Sequence, residues 1–191
     1  MTALSMQFSA VADDRGALAA ALRRRDPDLL DALIQQYEYR LFRYLLYLTG
    51  NRETAEDLFQ ETWVCVMDRG HTYNGRASFE TWLFAVARNL TIDAYRRRKP
   101  EALDALDGPE IPAGGPSPFE QAAARQSEVR IHESVDSLPA VYREVLLLRF
   151  QEELPLNDIA AITGVPLPTV KSRLYRGLEA LRREMEESQD A

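Results

Sequence analysis

Apolar residues recur every three or four positions along most of this chain, and this spacing is typical of amphipathic α-helices. No sustained alternation of apolar and polar residues marks a β-strand. The pattern therefore predicts an all-α fold.

Three helices are predicted in the first half of the chain. The first ends at Gly50, since glycine suits the left-handed position after a helix. The second runs from about Glu53 to Asp68, and the third begins near Ser78, a suitable N-cap, and continues to a basic cluster at Lys99. Their apolar stripes are Leu30, Leu33, Ile34, Tyr37, Leu41, Leu45 and Leu48; then Ala55, Leu58, Phe59, Thr62, Trp63 and Val66; then Phe79, Trp82, Leu83, Val86 and Leu90.

Residues 100–118 separate the two halves of the chain. They are rich in proline and glycine, which remove hydrogen-bond donors and disfavour regular structure. Their acids Glu101, Asp104, Asp107 and Glu110 follow one another without an intervening base. We predict an acidic, flexible linker here, between a domain at 26–99 that follows an N-terminal extension at 1–25 and a second domain at 119–191.

The second half predicts a helix-turn-helix. A helix from about Pro118 to Val135 leads to a possible cap at Ser137 and to a leucine-rich helix after Pro139. A short helix, Leu156 to Thr163, then turns at Gly164-Val165 into a long helix from Leu167 to about Met185. The long helix is predicted to bury Val170, Leu174, Leu178, Leu181 and Met185.

The opposite face of that last helix carries small polar and basic residues that suit DNA. In a helix-turn-helix, Ile159 and Ala160 pack where the helices cross, Gly164 permits the turn, and Val170 anchors the second helix. Arg173 and Arg176 suit guanine edges or phosphates. The remaining polar positions of this face, which suit the DNA backbone, are Thr169, Lys171 and Ser172. The same pattern also fits an amphipathic hairpin whose charges are merely solvated.

The charge distribution favours DNA even though the total does not. The formal net charge is −7, which argues against binding phosphates. Basic residues nevertheless concentrate in two stretches, 88–99 and 171–183, each with five bases against a single acid, Asp93 and Glu179, and the other acids collect elsewhere. This segregation predicts two cationic surfaces on an acidic body.

Several site classes find no support in the sequence. Cys65 is the only cysteine and lies between valines, which favours helix packing over a redox role. His71 and His132 stand far apart, so we predict neither a metal site nor a cofactor. No signal peptide or membrane-spanning run is present, which predicts a cytoplasmic protein without membrane insertion. The sequence shows neither a nucleophile paired with a general base nor a phosphate-binding loop, so nothing in it indicates an enzyme.

Three motifs in order carry a family resemblance. The segment from Ala55 to Trp63, reading AEDLFQETW, is followed by Ser78 to Leu90, reading SFETWLFAVARNL, and then by Gly164 to Leu174, reading GVPLPTVKSRL. Together they resemble the extracytoplasmic-function (ECF) class of bacterial RNA polymerase sigma factors. The resemblance implies sigma region 2 at 26–99 and sigma region 4 at 119–191, in a transcription initiation factor of the stress-response type that lacks enzymatic activity.

The resemblance also implies partners and site residues. Its partners would be core RNA polymerase, through clamp and flap, promoter DNA, and an anti-sigma factor. The clamp-binding residues would be Asp57, Gln60 and Glu61. Residues for the minus-ten element and its melting would be Tyr73, Asn74, Arg76, Phe79, Trp82, Arg88, Asn89, Asp93, Arg96, Arg97 and Arg98. Residues for the minus-thirty-five element would be Thr169, Lys171, Ser172, Arg173, Tyr175 and Arg176.

Ordinary structural roles compete with several of these assignments. Trp82 shares the apolar stripe of its helix, Asp93 could pair with Arg97, and the acids of the second helix could be plain solvated charges. Pro155 and Pro168 depart from the family pattern at helix starts and leave the promoter contacts open. The main alternative function is an autonomous helix-turn-helix regulator that binds DNA without polymerase.

Overall fold

A computed structural model describes residues 15–98 and 138–187, and every regular element in these two ranges is helical. The linker, the helix expected from Pro118 to Val135 and the expected cap Ser137 lie outside these ranges. The first range holds α1 (Arg15–Arg24), α2 (Pro27–Thr49), α3 (Arg52–Arg69), a 3-10 turn (Gly70–Thr72) and α4 (Phe79–Arg98). The second holds α5 (Ala140–Leu146), a π-helical segment (Leu147–Gln151), α6 (Leu156–Thr163) and α7 (Leu167–Glu187).

The starts and ends of the first-half helices follow from their capping residues. The Asp26 carboxylate accepts hydrogen bonds from the first turn of α2, whose other end is closed by Gly50 at φ 60°. Asn51 accepts from the Thr54 amide at 2.9 Å and begins α3. Ser78 accepts from the Thr81 amide at 3.1 Å, which confirms it as the cap of α4.

The first domain buries most of the predicted stripes of α2 and α3, whereas Trp82, Val86 and Leu90 of the α4 stripe are only half-buried, and its core includes a helix that the sequence pattern missed. Leu33, Leu41 and Leu45 of α2 are at most 1% exposed, and Leu58 and Leu83 bring α3 and α4 into the same core. The inner side of α1 belongs to this core as well, through Leu18, Ala19, Ala21 and Leu22. Part of the stretch predicted to be an extension is therefore packed against the domain.

The second domain is a helix-turn-helix preceded by α5. Gly164 adopts φ 69°, where glycine is favoured, and the chain turns there from α6 into α7. Ile159 and Val170 are fully buried where these helices meet, as predicted.

The predicted burial of Leu178 is wrong, because its side chain is 41% exposed. The buried face of α7 passes through Gly177, where an added Cβ would lie 3.1 Å from Leu146 and 3.2 Å from Tyr142. The close contact between α5 and α7 is therefore made at Gly177, and the neighbouring Leu178 is left in solvent. The side chain of Met185 lies outside the described residues.

The two domains pack against each other, with α4 of the first against α6 of the second. Tyr44, Leu48 and Phe84 of the first domain form one apolar cluster with the core of the second. The rings of Tyr44 and Phe84 lie 5.0 Å apart, and both residues are fully buried. Burying a side chain of this size typically stabilises by about 1.5–3 kcal/mol, so this contact is substantial.

Candidate nucleic-acid interface

The loop between α3 and α4 presents polar groups from a hydrogen-bonded turn. The Asn74 side chain accepts a hydrogen bond from the Arg76 amide at 3.0 Å, which forms a local turn. Gly75 follows at φ 73°, and the side chains of Asn74 and Arg76 are exposed. An ordered loop with an exposed amide and an exposed guanidinium is suited to reading an unpaired base.

Helix α1 supports this loop from behind. Arg15 donates a hydrogen bond from its guanidinium to the Arg76 carbonyl at 3.2 Å. A Cβ on Gly75 would lie 3.2 Å from the Arg15 carbonyl oxygen, and one on Gly70 would lie 3.4 Å from Leu22. Sequence reasoning missed Arg15, because nothing in residues 1–25 matched a motif.

The aromatic residues around the loop form a packed cluster rather than an open pocket. Phe79 and Trp82 lie 5.8 and 5.6 Å from Tyr73, measured between ring centroids. Tyr73 and Phe79 are only 2% and 4% exposed, and the Tyr73 hydroxyl donates to the Ala77 carbonyl at 2.9 Å. Burial raises the pKa of Tyr73, and it raises the pKa of the neighbouring Tyr37 to about 12. In this conformation Tyr73 and Phe79 shape the loop from below, and Trp82 is half-buried beside them.

A small cavity of about 220 Å³ lies beside this cluster and the start of α4. Arg15, Tyr37, Ser78 and Glu80 contribute its polar walls. Its volume is below the range of about 300–1,000 Å³ that is usual for small-molecule sites.

One face of α4 is exposed along its second half. Asn89, Asp93 and Arg96 follow each other at helical spacing on this face. Arg96 lies 3.8 Å from Asp93 in a surface ion pair, so the pairing of Asp93 is with Arg96 rather than with the Arg97 considered from the sequence. Arg97 is exposed and lies 4.0 Å from Glu61 of α3. The Arg98 side chain lies outside the described residues.

Arg88 differs from the other candidate DNA-binding cations, because it points into the domain interface. It is 5% exposed and is held by the Glu144 carboxylate of the second domain at 2.7 Å. The Glu144 charge raises the pKa of Arg88 against the opposing effect of burial. A buried guanidinium needs a carboxylate partner, and Glu144 is that partner for Arg88. In this conformation Arg88 therefore does not belong to the expected cationic surface on α4.

The outer face of α3 carries the acidic residues assigned to the clamp. Asp57, Gln60 and Glu61 are all exposed, as their spacing predicted. The same face continues through Val64 and Met67, which are 49% and 43% exposed. Sequence reasoning missed both, although exposed apolar side chains among charges are a frequent sign of a protein contact. Cys65 beside them is half-buried, and burial raises the pKa of its thiol.

The recognition face of α7 is open to solvent. Lys171, Ser172, Tyr175 and Arg176 are exposed, and Tyr175, at 70%, is the most exposed large hydrophobic residue within 15–98 and 138–187. Thr169 and Arg173 are half-buried at the edges of this face. The structure thus brings together all six residues assigned to the minus-thirty-five element on the first turns of one helix, where such helices meet base edges.

Two family patterns match the chain in the order of its domains. Sigma-70 region 2 matches residues 33–101, and Sigma-70 region 4 matches residues 128–181. The ECF RNA polymerase sigma factor SigW of Bacillus subtilis is 32% identical over 173 residues, which are 86% of this chain and 92% of that protein.

The chain belongs to the ECF RNA polymerase sigma factors.

A second relative and a solved structure resemble this sigma factor. SigE of Mycolicibacterium smegmatis is 36% identical over 154 residues, 80% of this chain and 60% of that protein. The sigma factor RpoE from Bartonella quintana, solved in complex with the anti-sigma factor NepR, aligns with a TM-score of 0.63 and 22% identity over 82% of this chain and 96% of that one. The likeness supports a shared fold.

Membership in this family defines the class of function. The sigma factor acts in promoter-specific initiation by RNA polymerase, and its partners are core polymerase and promoter DNA. Within residues 15–98 and 138–187, no helix is long and apolar enough to cross a membrane, and no cluster of metal-binding side chains occurs.

Proposed function

We propose that this sigma factor delivers core RNA polymerase to promoters by placing its first domain, 26–99, on the minus-ten element and its second domain, 119–191, on the minus-thirty-five element. The observation that carries the proposal is the presence of two separate exposed polar faces, one on α4 and one on α7. One lies in the domain that matches Sigma-70 region 2 and the other in the domain that matches Sigma-70 region 4.

At the minus-ten element, the loop between α3 and α4 and the exposed face of α4 contact different parts of the DNA. Asn74 and Arg76 bind a base that has left the stack, and Trp82 offers an aromatic surface at the edge of the buried cluster. Stacking on an aromatic side chain is worth about 1–3 kcal/mol per base, which offsets the unpairing of a few AT-rich pairs without ATP hydrolysis. Asn89, Asp93 and Arg96 follow the adjoining duplex, and Arg97 and Arg98 bind phosphates.

At the minus-thirty-five element, α7 enters the major groove. Arg173 and Arg176 bond guanine edges or phosphates, since a guanidinium fits the two acceptors of guanine. Lys171, Ser172 and Thr169 fix the register on the backbone, and exposed Tyr175 adds an apolar contact.

The outer face of α3 binds the polymerase clamp, and the second domain binds the flap. Asp57, Gln60 and Glu61 guide the encounter electrostatically, which mainly affects association rate and orientation. Val64 and Met67 then supply apolar area that is withdrawn from water on binding.

Three further aspects belong to this proposal. The sigma factor carries no catalytic site of its own, and it works in the cytoplasm with the polymerase. An anti-sigma factor controls it, which is supported by the solved relative bound to NepR.

Run-off transcription tests the proposal directly. Purified core polymerase is combined with the chain and a pool of genomic promoters, and transcript start sites are sequenced. We expect discrete start sites that appear only with the chain, and a matched reaction with the Asp57→Lys and Glu61→Lys variant should yield far fewer. An autonomous regulator would instead bind duplex DNA tightly without core polymerase, and that result would contradict the proposal.

A further inference from the structure

Helix α1 runs alongside the end of α3, the 3-10 turn and the loop that follows, in the opposite direction to the chain there. Arg25, the residue after α1, lies 3.8 Å from Asp68 near the end of α3. Midway, Leu22 packs against the 3-10 turn. At the start of α1, the Arg15 guanidinium donates to the Arg76 carbonyl of the loop at 3.2 Å. Both ends of α1 therefore lie against the segment that contains the proposed base-reading loop.

This packing brings exposed arginines of several elements together around the 3-10 turn and the loop. Arg23 and Arg24 lie at the end of α1 and Arg69 at the end of α3, and all three are exposed. Arg15 and Arg76, at the other end of the contact, are exposed as well. We call these five arginines the flanking basic face. Three of them precede the region 2 match, which begins at residue 33.

Acidic residues do not neutralise the flanking basic face. Residues 15–26 and 68–76 together carry six arginines and two aspartates, in a chain whose formal net charge is −7. Asp68 pairs with Arg25, and Asp26 accepts hydrogen bonds from the first turn of α2. The excess of positive charge faces solvent, where it attracts anions.

The flanking basic face lies where a melted strand leaves the loop. The proposed function places the adjoining duplex on the second half of α4, near Arg96, and the flipped base at Asn74. Arg96 lies about 25 Å along α4 from Phe79, at about 1.5 Å per residue, so the duplex is at the far end of that helix from the loop. A strand that runs from the duplex to the flipped base therefore continues past the loop towards α1.

We propose that the flanking basic face binds the backbone phosphates of the single strand just downstream of the flipped base. The inference rests on the proposed function, which supplies the position of that base and the direction of the duplex. Helix α1 is about 15 Å long, so its arginines span at most about four nucleotides at a rise of about 3.4 Å. The contact is independent of sequence, because phosphates carry no base identity, and it opposes re-pairing of the opened strand.

Guanidinium groups are suited to this contact. Each presents several N–H donors to phosphate oxygens and stays charged at physiological pH. Each phosphate neutralised on a single strand contributes about 0.7 to the slope of log affinity against log salt concentration. Two such contacts, from Arg23 and Arg24, therefore predict a slope of about 1.4 and a contribution to affinity of about tenfold at about 0.2 M salt.

The first test compares two forked templates, made from a promoter found by run-off transcription, in their binding to the holoenzyme of the full-length chain and core polymerase. Both templates carry a short duplex upstream of the minus-ten element and continue as the single strand. The short strand ends at the last minus-ten base, and the long strand extends about four nucleotides further. We expect the wild type to bind the long template more tightly than the short one.

The deciding variant is Arg23→Gln combined with Arg24→Gln. It should reduce the affinity gained on the long template about tenfold at about 0.2 M salt and lower the salt slope there by about 1.4. Its binding to the short template should match that of the wild type. Core polymerase contributes equally to both holoenzymes, so the difference between them belongs to α1.

Two further double variants separate charge at this face from other effects. Arg182→Gln combined with Arg183→Gln also removes two adjacent exposed arginines, but on α7. Neither template carries the minus-thirty-five element, so we expect wild-type binding. Arg23→Lys combined with Arg24→Lys keeps both charges and should retain most of the gain. Circular dichroism should show unchanged helix content, since glutamine and lysine favour a helix about as well as arginine.

The second test removes charge from the DNA instead of the protein. Uncharged methylphosphonate linkages replace the phosphates between the added nucleotides of the long strand. We expect the wild type to lose about as much affinity as the Arg23→Gln and Arg24→Gln variant loses on unmodified DNA, and the variant itself to lose little more. Equal losses in both proteins would show that these phosphates contact another group, which contradicts the proposal.

Other outcomes also overturn the proposal. If the Arg23→Gln and Arg24→Gln variant binds both templates as the wild type does, the face does not contact the strand. An equal loss on both templates would assign the two arginines to the shape of the loop. Weaker binding to core polymerase, measured by fluorescence titration without DNA, would assign them to a polymerase contact.

The two proposals fail in different ways. If the wild-type holoenzyme binds these templates no better than templates with an unrelated minus-ten sequence, the proposed function is wrong and this inference falls with it. If it distinguishes them and the Arg23→Gln and Arg24→Gln variant behaves as the wild type, the proposed function stands and only the DNA contact of α1 is wrong.

Discussion

The backbone of α1 at Arg15 lies against Gly75 in the loop between α3 and α4, so that a Cβ at position 75 would lie 3.2 Å from the Arg15 carbonyl oxygen. The Arg15 guanidinium adds a hydrogen bond to Arg76 on the next residue of that loop. The position of the loop is therefore set by a helix that precedes the region 2 family match, which begins at residue 33.

Gly75→Ala is expected to destabilise the first domain and impair promoter melting. The left-handed conformation at φ 73° costs an alanine about 1 kcal/mol, and the Cβ would also press on Arg15 at 3.2 Å. Gly164→Ala is the control, because its φ of 69° carries the same conformational cost and no atom lies within 4 Å of the added Cβ. Urea denaturation should show a larger loss in the free energy of unfolding for Gly75→Ala than for Gly164→Ala. Equal losses would contradict the inference that α1 supports the loop.

Asn74→Ala is expected to impair melting more than duplex binding. It removes both the amide that we propose binds a flipped base and the acceptor for the Arg76 amide. Asn74→Asp keeps the acceptor, so it isolates base reading from loop structure. Potassium permanganate reactivity of thymines measures melting, and a pre-opened template should rescue both variants. Failure of the pre-opened template to rescue would assign Asn74 to another step.

Asp57→Lys combined with Glu61→Lys is expected to weaken core polymerase binding while leaving the fold intact. Exposed charges contribute little to stability, typically below about 1 kcal/mol, but they determine the encounter with a charged partner. Asp31→Lys with Glu38→Lys makes the same charge change at exposed positions on α2. Fluorescence titration with core polymerase should distinguish the two pairs, and equal affinities would contradict the clamp assignment.

Arg176→Ala is expected to cost about 1–3 kcal/mol in recognition of the minus-thirty-five element if the side chain reads a base. The loss should be confined to promoters that carry the preferred base. Arg183→Ala, two turns further along α7 and paired with Glu179 at 2.8 Å, provides the comparison. Binding to a panel of single-base variants makes the measurement, and a uniform loss across the panel would indicate a phosphate contact.

Glu80 is expected to make stability depend on pH. Burial raises its pKa above the ordinary value of 4.5, although the Arg40 charge opposes this. A carboxyl with a raised pKa holds its proton more tightly in the folded state, so its contribution to stability is lost as pH rises from about 4.5 through the raised value. Glu80→Gln lacks this loss. Urea denaturation between pH 4 and 7 should therefore show the variant gaining on the wild type as pH rises, and a constant difference would contradict the assignment.

The sequence predicted those features that depend on neighbouring residues. The turn at Gly164 and the caps at Gly50 and Ser78 are local chemistry, and all three were found. The pairing of Arg88 with Glu144 was not predictable, because the partners are 56 residues apart and only packing brings them together. Helix α1 was missed because it is short, with only four buried residues, and because a local pattern does not show which surface of the domain will cover them.

The exposure of Leu178 shows the same limit within one helix. The spacing of apolar residues predicts that it is buried with Val170 and Leu174. In the structure α5 packs closely against Gly177 instead, and the neighbouring Leu178 is exposed. The roles of the individual DNA-binding residues stay predictions, although the arrangement on α7 matches the expected one.

The π-helical segment Leu147–Gln151 has a consequence for the tolerance of this chain to insertions and deletions. Its wider turn, closed by the Glu152 amide on the Leu147 carbonyl at 3.2 Å, shifts all following residues around the helix axis. That shift directs Glu152 inward to two arginines and leaves Phe150 59% exposed. The number of residues here is thus constrained while the identity at position 150 is not, so related chains should vary in side chain at this position and agree in length.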